Sequence, residues 1–214
     1  MTSEVTRKPG IASTPVAAPT RAAATAKPRG TVAHASAGGR PVIDTPTGRF
    51  EFAAHNCFAC GTLNAGGLGL ALHIEPGRCW VELALERRFE GWEGVVHGGI
   101  LCTILDEVMA WALVAEDNWG VTARMATDFR RPVMVGVPIR AEGWITASRR
   151  RVVETAGEII DVATGARLAT ATGVYVAASP AGKRALQERY AYRPSASTVS
   201  DPADRPEPVD GIGR

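Results

Sequence analysis

The chain has 214 residues, with 24 Lys and Arg against 22 Asp and Glu and a formal net charge of +2. Hydrophobic content of 45% with 21% charged residues is ordinary for a globular protein. Four cysteines are too few for a disulfide scaffold at this length, and no run of 18 or more apolar residues offers a membrane span.

The charge is uneven: +4 over residues 1–48, −3 over 49–179 and +1 over 180–214. A central part with net negative charge lacks the basic face that nucleic acid requires, so nucleic acid is excluded as its partner. Residues 1–48 are dominated by Ala, Thr, Pro, Gly and Ser with no hydrophobic period. Such a stretch buries too little apolar surface to offset its ordering entropy, which predicts a disordered arm. A targeting peptide is the competing reading, but Pro9, Pro15, Pro19 and Pro28 break any long amphipathic helix. With no secretory apolar segment, the expected location is the cytoplasm. Residues 180–214 read as a short, largely disordered C-terminal extension in which "SPAGKRALQERYAY" forms a short helix or frays.

Residues 49–179 suit one domain. "LGLALHIE" (68–75) and "RCWVELALE" (78–86) flank Pro76–Gly77 and predict a hairpin. Residues 97–117, "HGGILCTILDEVMAWALVAED", are rich in helix formers and apolar nearly all round, as in a helix buried on every side. Four strands follow at 120–133, 137–149, 151–161 and 166–178, with Thr164–Gly165 turning the last hairpin. The economical architecture is α+β: a curved antiparallel sheet of about six strands wrapped around one long central helix.

The helix start carries the strongest chemical signal. Gly98–Gly99 sit where backbone N–H groups lack helical acceptors, beside the positive end of the helix dipole. Free donors of this kind suit a developing oxyanion, and two glycines let a substrate approach the backbone. Asp106 lies about two turns on, returning to the face of Gly99 with Cys102 beside it. A carboxylate inside an apolar helix is costly unless partnered or used. Glu107, the rival carboxylate, points about 100° away and is expected at the sheet edge. Cys57 and Cys60 have CxxC spacing; a zinc site needs two more ligands, for which Cys79, Cys102, His55 and His73 are the candidates. No second CxxC exists, so the pair is given a packing role, with no metal and no cofactor expected. Trp92 is expected to pack against a second copy of the chain rather than line a pocket, and Arg149–Arg150–Arg151 to form a charged hairpin turn.

"CFACGTLNAGGLGL" (57–70), "GWEGVVHGGILCTILDE" (91–107) and "VTARMATDFRRPVMVG" (121–136) together resemble the hotdog-fold acyl-CoA thioesterases, within them the PaaI-type and THEM-like group. The resemblance spans roughly residues 55–178. It implies a catalytic carboxylate at Asp106, an oxyanion N–H at Gly98 with Gly99 beside it, and His97 holding the thioester. It also implies that Thr122 positions water, and that the site is completed across a dimer interface, with Asp106 and Thr122 meeting from different subunits. Arg130 and Arg131 fall where CoA phosphates or pantetheine are met, and Asn64 continues the lead-in pattern as a substrate-binding residue. The expected activity is hydrolysis of an acyl-CoA thioester, and the expected partners are acyl-CoA and further copies of the chain, as a homodimer or homotetramer. A non-catalytic acyl-CoA-binding protein is the alternative. A hotdog hydratase is disfavoured because no histidine follows Asp106 through Asp117.

Overall fold

Alternation of buried and outward residues in the second half of the chain builds the sheet. In the computed structural model, which describes residues 42–45, 48–190 and 193–195, the elements run in chain order. They are β1 (Val42–Thr45), β2 (Gly48–Glu51), β3 (His73–Glu75), β4 (Arg78–Ala84), β5 (Glu90–Trp92), β6 (Val95–Val96) and α1 (Gly98–Ala115). Then come β7 (Gly120–Phe129), β8 (Pro138–Arg149), β9 (Val152–Asp161), β10 (Arg167–Ala177), α2 (Pro180–Arg189) and β11 (Arg193–Ser195). Six antiparallel strands form one sheet in the order β3-β4-β8-β9-β10-β7, with α1 across it. This is the strand, strand, helix, four-strand order expected from the sequence.

Several boundaries differ. The first hairpin strand is only His73–Glu75, because Leu68 and Leu70 bond instead to the carbonyls of Phe58 and Ala59 in the preceding loop. Strand β7 stops at Phe129, and both Arg130 and Arg131 donate their N–H groups to Leu168 O. The segment after residue 179 begins with α2, capped by Ser179 and started by Pro180. Tyr190 accepts from Ala53 N–H and, with Leu186, packs on the core. The predicted arm before residue 42 and the predicted tail beyond 195 lie outside the described residues.

The helix meets the sheet backbone to backbone. Gly143 of β8 pairs with Gly157 of β9 directly beneath α1. A Cβ at Gly143 would come within 2.6–2.8 Å of the main chain of Val108 and Met109. At Gly157 it would stand 3.3 Å from Leu105 and Met109 side-chain atoms. Missing side chains at the crossing therefore let α1 sink onto the sheet. Around the crossing Ile104, Leu105, Val108, Met109, Ile139, Val153, Ile159 and Tyr175 are fully buried. Burial of this apolar set is the main force holding helix to sheet.

Strand β7 closes one side of the sheet and leaves its outer edge unpaired among the described strands. Val121 and Phe129 on it are 68% and 53% exposed.

Candidate active site

The start of α1 is fixed by what precedes it. Val96 N–H donates to Val133 O and His97 N–H to Phe89 O, so the chain enters the helix from a pinned β-extended residue. His97 is the N-cap: its Nδ1 accepts from Gly99 N–H at 2.9 Å. Ile100 and Leu101 donate to His97 O. Gly98 N–H, at the first helical position, is left without an acceptor among the described residues. The sequence assigned donors to both glycines; the structure leaves only Gly98 available, because His97 takes the N–H of Gly99.

Successive turns of α1 face successive inward residues of β7. A Cβ at Gly98 would stand 3.2 Å from the Phe129 ring, Cys102 Sγ lies 3.7 Å from Thr127 Oγ1, and Asp106 meets Thr122. Residues 98, 102 and 106 thus line one side of a cleft whose other side is 129, 127 and 122. It is partly open to solvent: Thr122 and Phe129 are exposed, while Asp106 and Cys102 are half-buried.

At the far end of this cleft, Thr122 Oγ1–H donates to Asp106 Oδ1 at 2.7 Å, and the Tyr175 hydroxyl donates to the same oxygen at 2.8 Å. Tyr175 O lies also 3.1 Å from the Asp106 carbonyl oxygen. Burial, then the nearby Asp106 charge, pushes the Tyr175 phenol well above its ordinary range, so it remains a donor. Both donors converge on Oδ1; Oδ2 accepts no hydrogen bond among the described residues.

One expectation changes here. Asp106 and Thr122 meet within one chain, because the β-bulge between Val174 and Tyr175 sets Thr122 opposite Tyr175 on the helix-facing side. Eight residues at 1.5 Å each separate Gly98 and Asp106 by about 12 Å along the axis. That is too far for both to touch a single carbonyl group.

Tyr175 was not singled out from the sequence. Its signal is there: it is the one polar-tipped aromatic in the inward row Ala169, Ala171, Gly173, Tyr175, Ala177, and a buried phenol needs a partner. The other expected residues are more peripheral. Asn64 Oδ1 accepts from Gly66 N–H at 3.1 Å, closing a local turn, so that oxygen is committed. Arg88 ties this turn down through the carbonyls of Ala65 and Gly67. Arg130 and Arg131 are exposed beyond the end of β7, and Arg130 pairs loosely with Asp128 at 3.6 Å. Trp92 is 84% exposed on the single chain.

Around the helix from Asp106, Glu107 does not reach a sheet edge. It turns to the loop of Cys57 and Cys60, where it accepts from Trp111 Nε1–H at 2.8 Å, and burial pushes its carboxyl up to about 7. The Cys57 thiol is lowered to about 5, chiefly by a hydrogen bond from Cys60, whose own thiol is pushed far up.

A curved six-stranded antiparallel sheet wrapped on one helix is the hotdog fold. Residues 93–166 match the family model of the thioesterase superfamily. The crystal structure of a thioesterase superfamily protein superposes with a TM-score of 0.53 at 26% identity, over 56% of this chain and 60% of that one. The chain therefore spans less than two thirds of that relative. Zebra fish thioesterase superfamily member 2 (TM-score 0.50, 17% identity, 54% of this chain and 89% of that) shares the fold. So does the E. coli PaaI protein from the phenylacetic acid degradation operon (TM-score 0.50, 19% identity, 52% of this chain and 81% of that). No curated protein matches the sequence.

Proposed function

We propose that the protein hydrolyses acyl-CoA thioesters to the free acid and CoA, with Asp106 as the catalytic carboxylate. The observation that carries this reading is the asymmetry of Asp106: Thr122 and Tyr175 hold Oδ1, and Oδ2 of this half-buried carboxylate accepts no hydrogen bond among the described residues. A carboxylate buried only for structure would have its acceptors more evenly satisfied. In the general-base form, Oδ2 takes a proton from water as the water oxygen attacks the thioester carbon. Collapse of the tetrahedral intermediate breaks the C–S bond, and the proton passes to the departing thiolate. In the nucleophilic form Oδ2 itself attacks, and water opens the resulting anhydride. Either form needs a donor for the oxyanion, and Gly98 N–H has the required free valence.

Because Gly98 and Asp106 of one chain lie about 12 Å apart, we assign the two halves of each site to two copies of the chain. One copy supplies Gly98 and His97; the other supplies Asp106, Thr122 and Tyr175. A homodimer, alone or within a tetramer, would cover the exposed edge of β7 and the cleft beside it. Gly99, without a side chain, leaves room for the thioester. The exposed guanidinium groups of Arg130 and Arg131 suit the CoA phosphates, with Asn64 a further contact.

The test is thiol release from short, medium and aryl acyl-CoAs by wild type, Asp106→Ala and Asp106→Asn. Turnover of at least one thioester, lost in both variants while oligomeric state is kept, supports the reading. Binding of acyl-CoA without thiol release by wild type overturns it in favour of a binding protein.

A further inference from the structure

Cys57, Cys60 and Glu107 form a second cluster that the thioesterase reading does not use. One donor atom from each lies within 4.8 Å of the other two, and Cys57 Sγ is 3.9 and 4.0 Å from the two Glu107 carboxylate oxygens. We propose that these three side chains bind a thiophilic divalent cation, zinc fitting best, with solvent completing a tetrahedral shell.

The distances suit this ion. Zn–S bonds of about 2.3 Å and Zn–O bonds of about 2.1 Å in tetrahedral geometry set neighbouring donors about 3.6–3.8 Å apart. The Cys57–Glu107 separation is thus a few tenths of an ångström from a ligating one, without any backbone rearrangement. The donor set also suits it: two sulfurs and one carboxylate favour zinc over magnesium or calcium, which take oxygen shells.

The loop is built to hold the two sulfurs on one side. Gly61 N–H donates to Cys57 O and Leu63 N–H to His55 O, folding the chain back on itself immediately after Cys60. A Cβ at Gly61 would lie 2.4–2.5 Å from Cys57 N, Cys57 O and His55 O, so only glycine fits there. On the helix side, Trp111 Nε1–H fixes one Glu107 oxygen, and Trp111 packs edge-on against Phe52 at 5.1 Å. No Arg, Lys or His forms an ion pair with Glu107 among the described residues. A buried carboxylate beside two thiols lacks a counter-charge, and a dication supplies one.

Such a site would clamp the loop around residues 57–60 onto α1, one residue along from Asp106. Its role is structural, and it is independent of whether the cleft hydrolyses thioesters.

The full chain, purified without chelator under mild reductant, is assayed for metal by mass spectrometry and titrated with Co(II) after metal removal. The expected result is about one zinc per chain, and on titration a thiolate-to-cobalt charge-transfer band with intense tetrahedral d–d bands. Zinc should protect Cys57 and Cys60, but not Cys102, from alkylation mapped by peptide mass spectrometry. Cys57→Ser and Cys60→Ser should lose the charge-transfer band, and Glu107→Gln should weaken Co(II) binding. Wild-type alkylation mapping decides the question even where a variant fails to fold. Reduced, folded wild type that shows no cobalt bands and no zinc protection overturns the proposal. So does a Cys57–Cys60 disulfide whose reduced form binds no Co(II), or a folded double-serine variant that keeps the bands.

Discussion

Replacing Gly98 by proline isolates the one helix N–H that the site leaves free. Gly98 is the first residue of α1, the position where proline is best tolerated in a helix. Its predecessor His97 has φ −62° and ψ 132°, the extended geometry that a following proline demands. No intrahelical bond is lost, since Gly98 N–H has no acceptor among the described residues. The new Cβ would meet Phe129 Cζ at 3.2 Å, but that ring is half exposed and can give. Loss of unfolded-state freedom should raise stability by about 0.4–1 kcal/mol, less whatever Phe129 takes back. For a domain of this size that is a change in Tm of no more than about 4 °C. Catalysis should move far more: removing one oxyanion donor costs about 10²–10³ in kcat, or roughly 3–4 kcal/mol. Stopped-flow thiol detection with the best acyl-CoA, alongside calorimetric melting, reads both quantities. A folded Gly98→Pro protein with wild-type kcat would refute the oxyanion role.

Four further outcomes are expected. Co-expressing Asp106→Asn with Gly98→Pro should recover about a quarter of wild-type activity, because half the dimers are mixed and each mixed dimer holds one intact site; separately purified parents should stay inactive, and absence of recovery on mixing would place both groups in one chain's site. Tyr175→Phe and Thr122→Ala each remove one hydrogen bond to a charged oxygen, worth about 1.5–3 kcal/mol; kcat should fall about 10- to 100-fold with KM little changed, and the double variant should show strong non-additivity because both donors share Oδ1. Gly143→Ala forces a methyl against the main chain of α1 and should destabilise by about 1–3 kcal/mol or more, read by urea unfolding. His73 stacks on Trp80 at 3.7 Å, and burial, with Arg140 nearby, holds its imidazole below the ordinary value. It takes up its proton at a lower pH in the fold than the unfolded chain, which protonates near pH 6.5, so its contribution is present above that pH and lost on acidification. The Tm of wild type should therefore drop more between pH 7.5 and 5.5 than that of His73→Phe, and equal drops would count against this.

The sheet order, the helix and the pairing of Asp106 with the helix start in one motif were legible because each leaves a periodic or local trace. An all-apolar helix, a Pro-Gly turn and alternating strands are readable over ten residues or so. What was not legible depended on distances across the fold. Tyr175 is 69 residues from Asp106, and only the bulge in β7, where Ala123 is the extra residue, brings it and Thr122 to the same oxygen. Helical periodicity reports a shared face but not a contact, so it set Asp106 on the face of Gly99 without showing which side chains of the sheet that face meets. Glu107 was set at a sheet edge because nothing local says that the Cys57–Cys60 loop, 50 residues earlier, packs on that side of α1.

The Gly143–Gly157 pair beneath α1 has a mechanical consequence. Where helix and sheet touch through side chains, their spacing drifts as those side chains are exchanged for larger or smaller ones. Here the stop at Gly143 is main chain against main chain, which sequence change elsewhere in the core leaves as it is. The carboxylate of Asp106, less than one turn from that stop, keeps its height above the sheet while the surrounding apolar residues remain free to vary. Tolerance of drift in the core and constancy at the reacting oxygen come from the same two missing side chains.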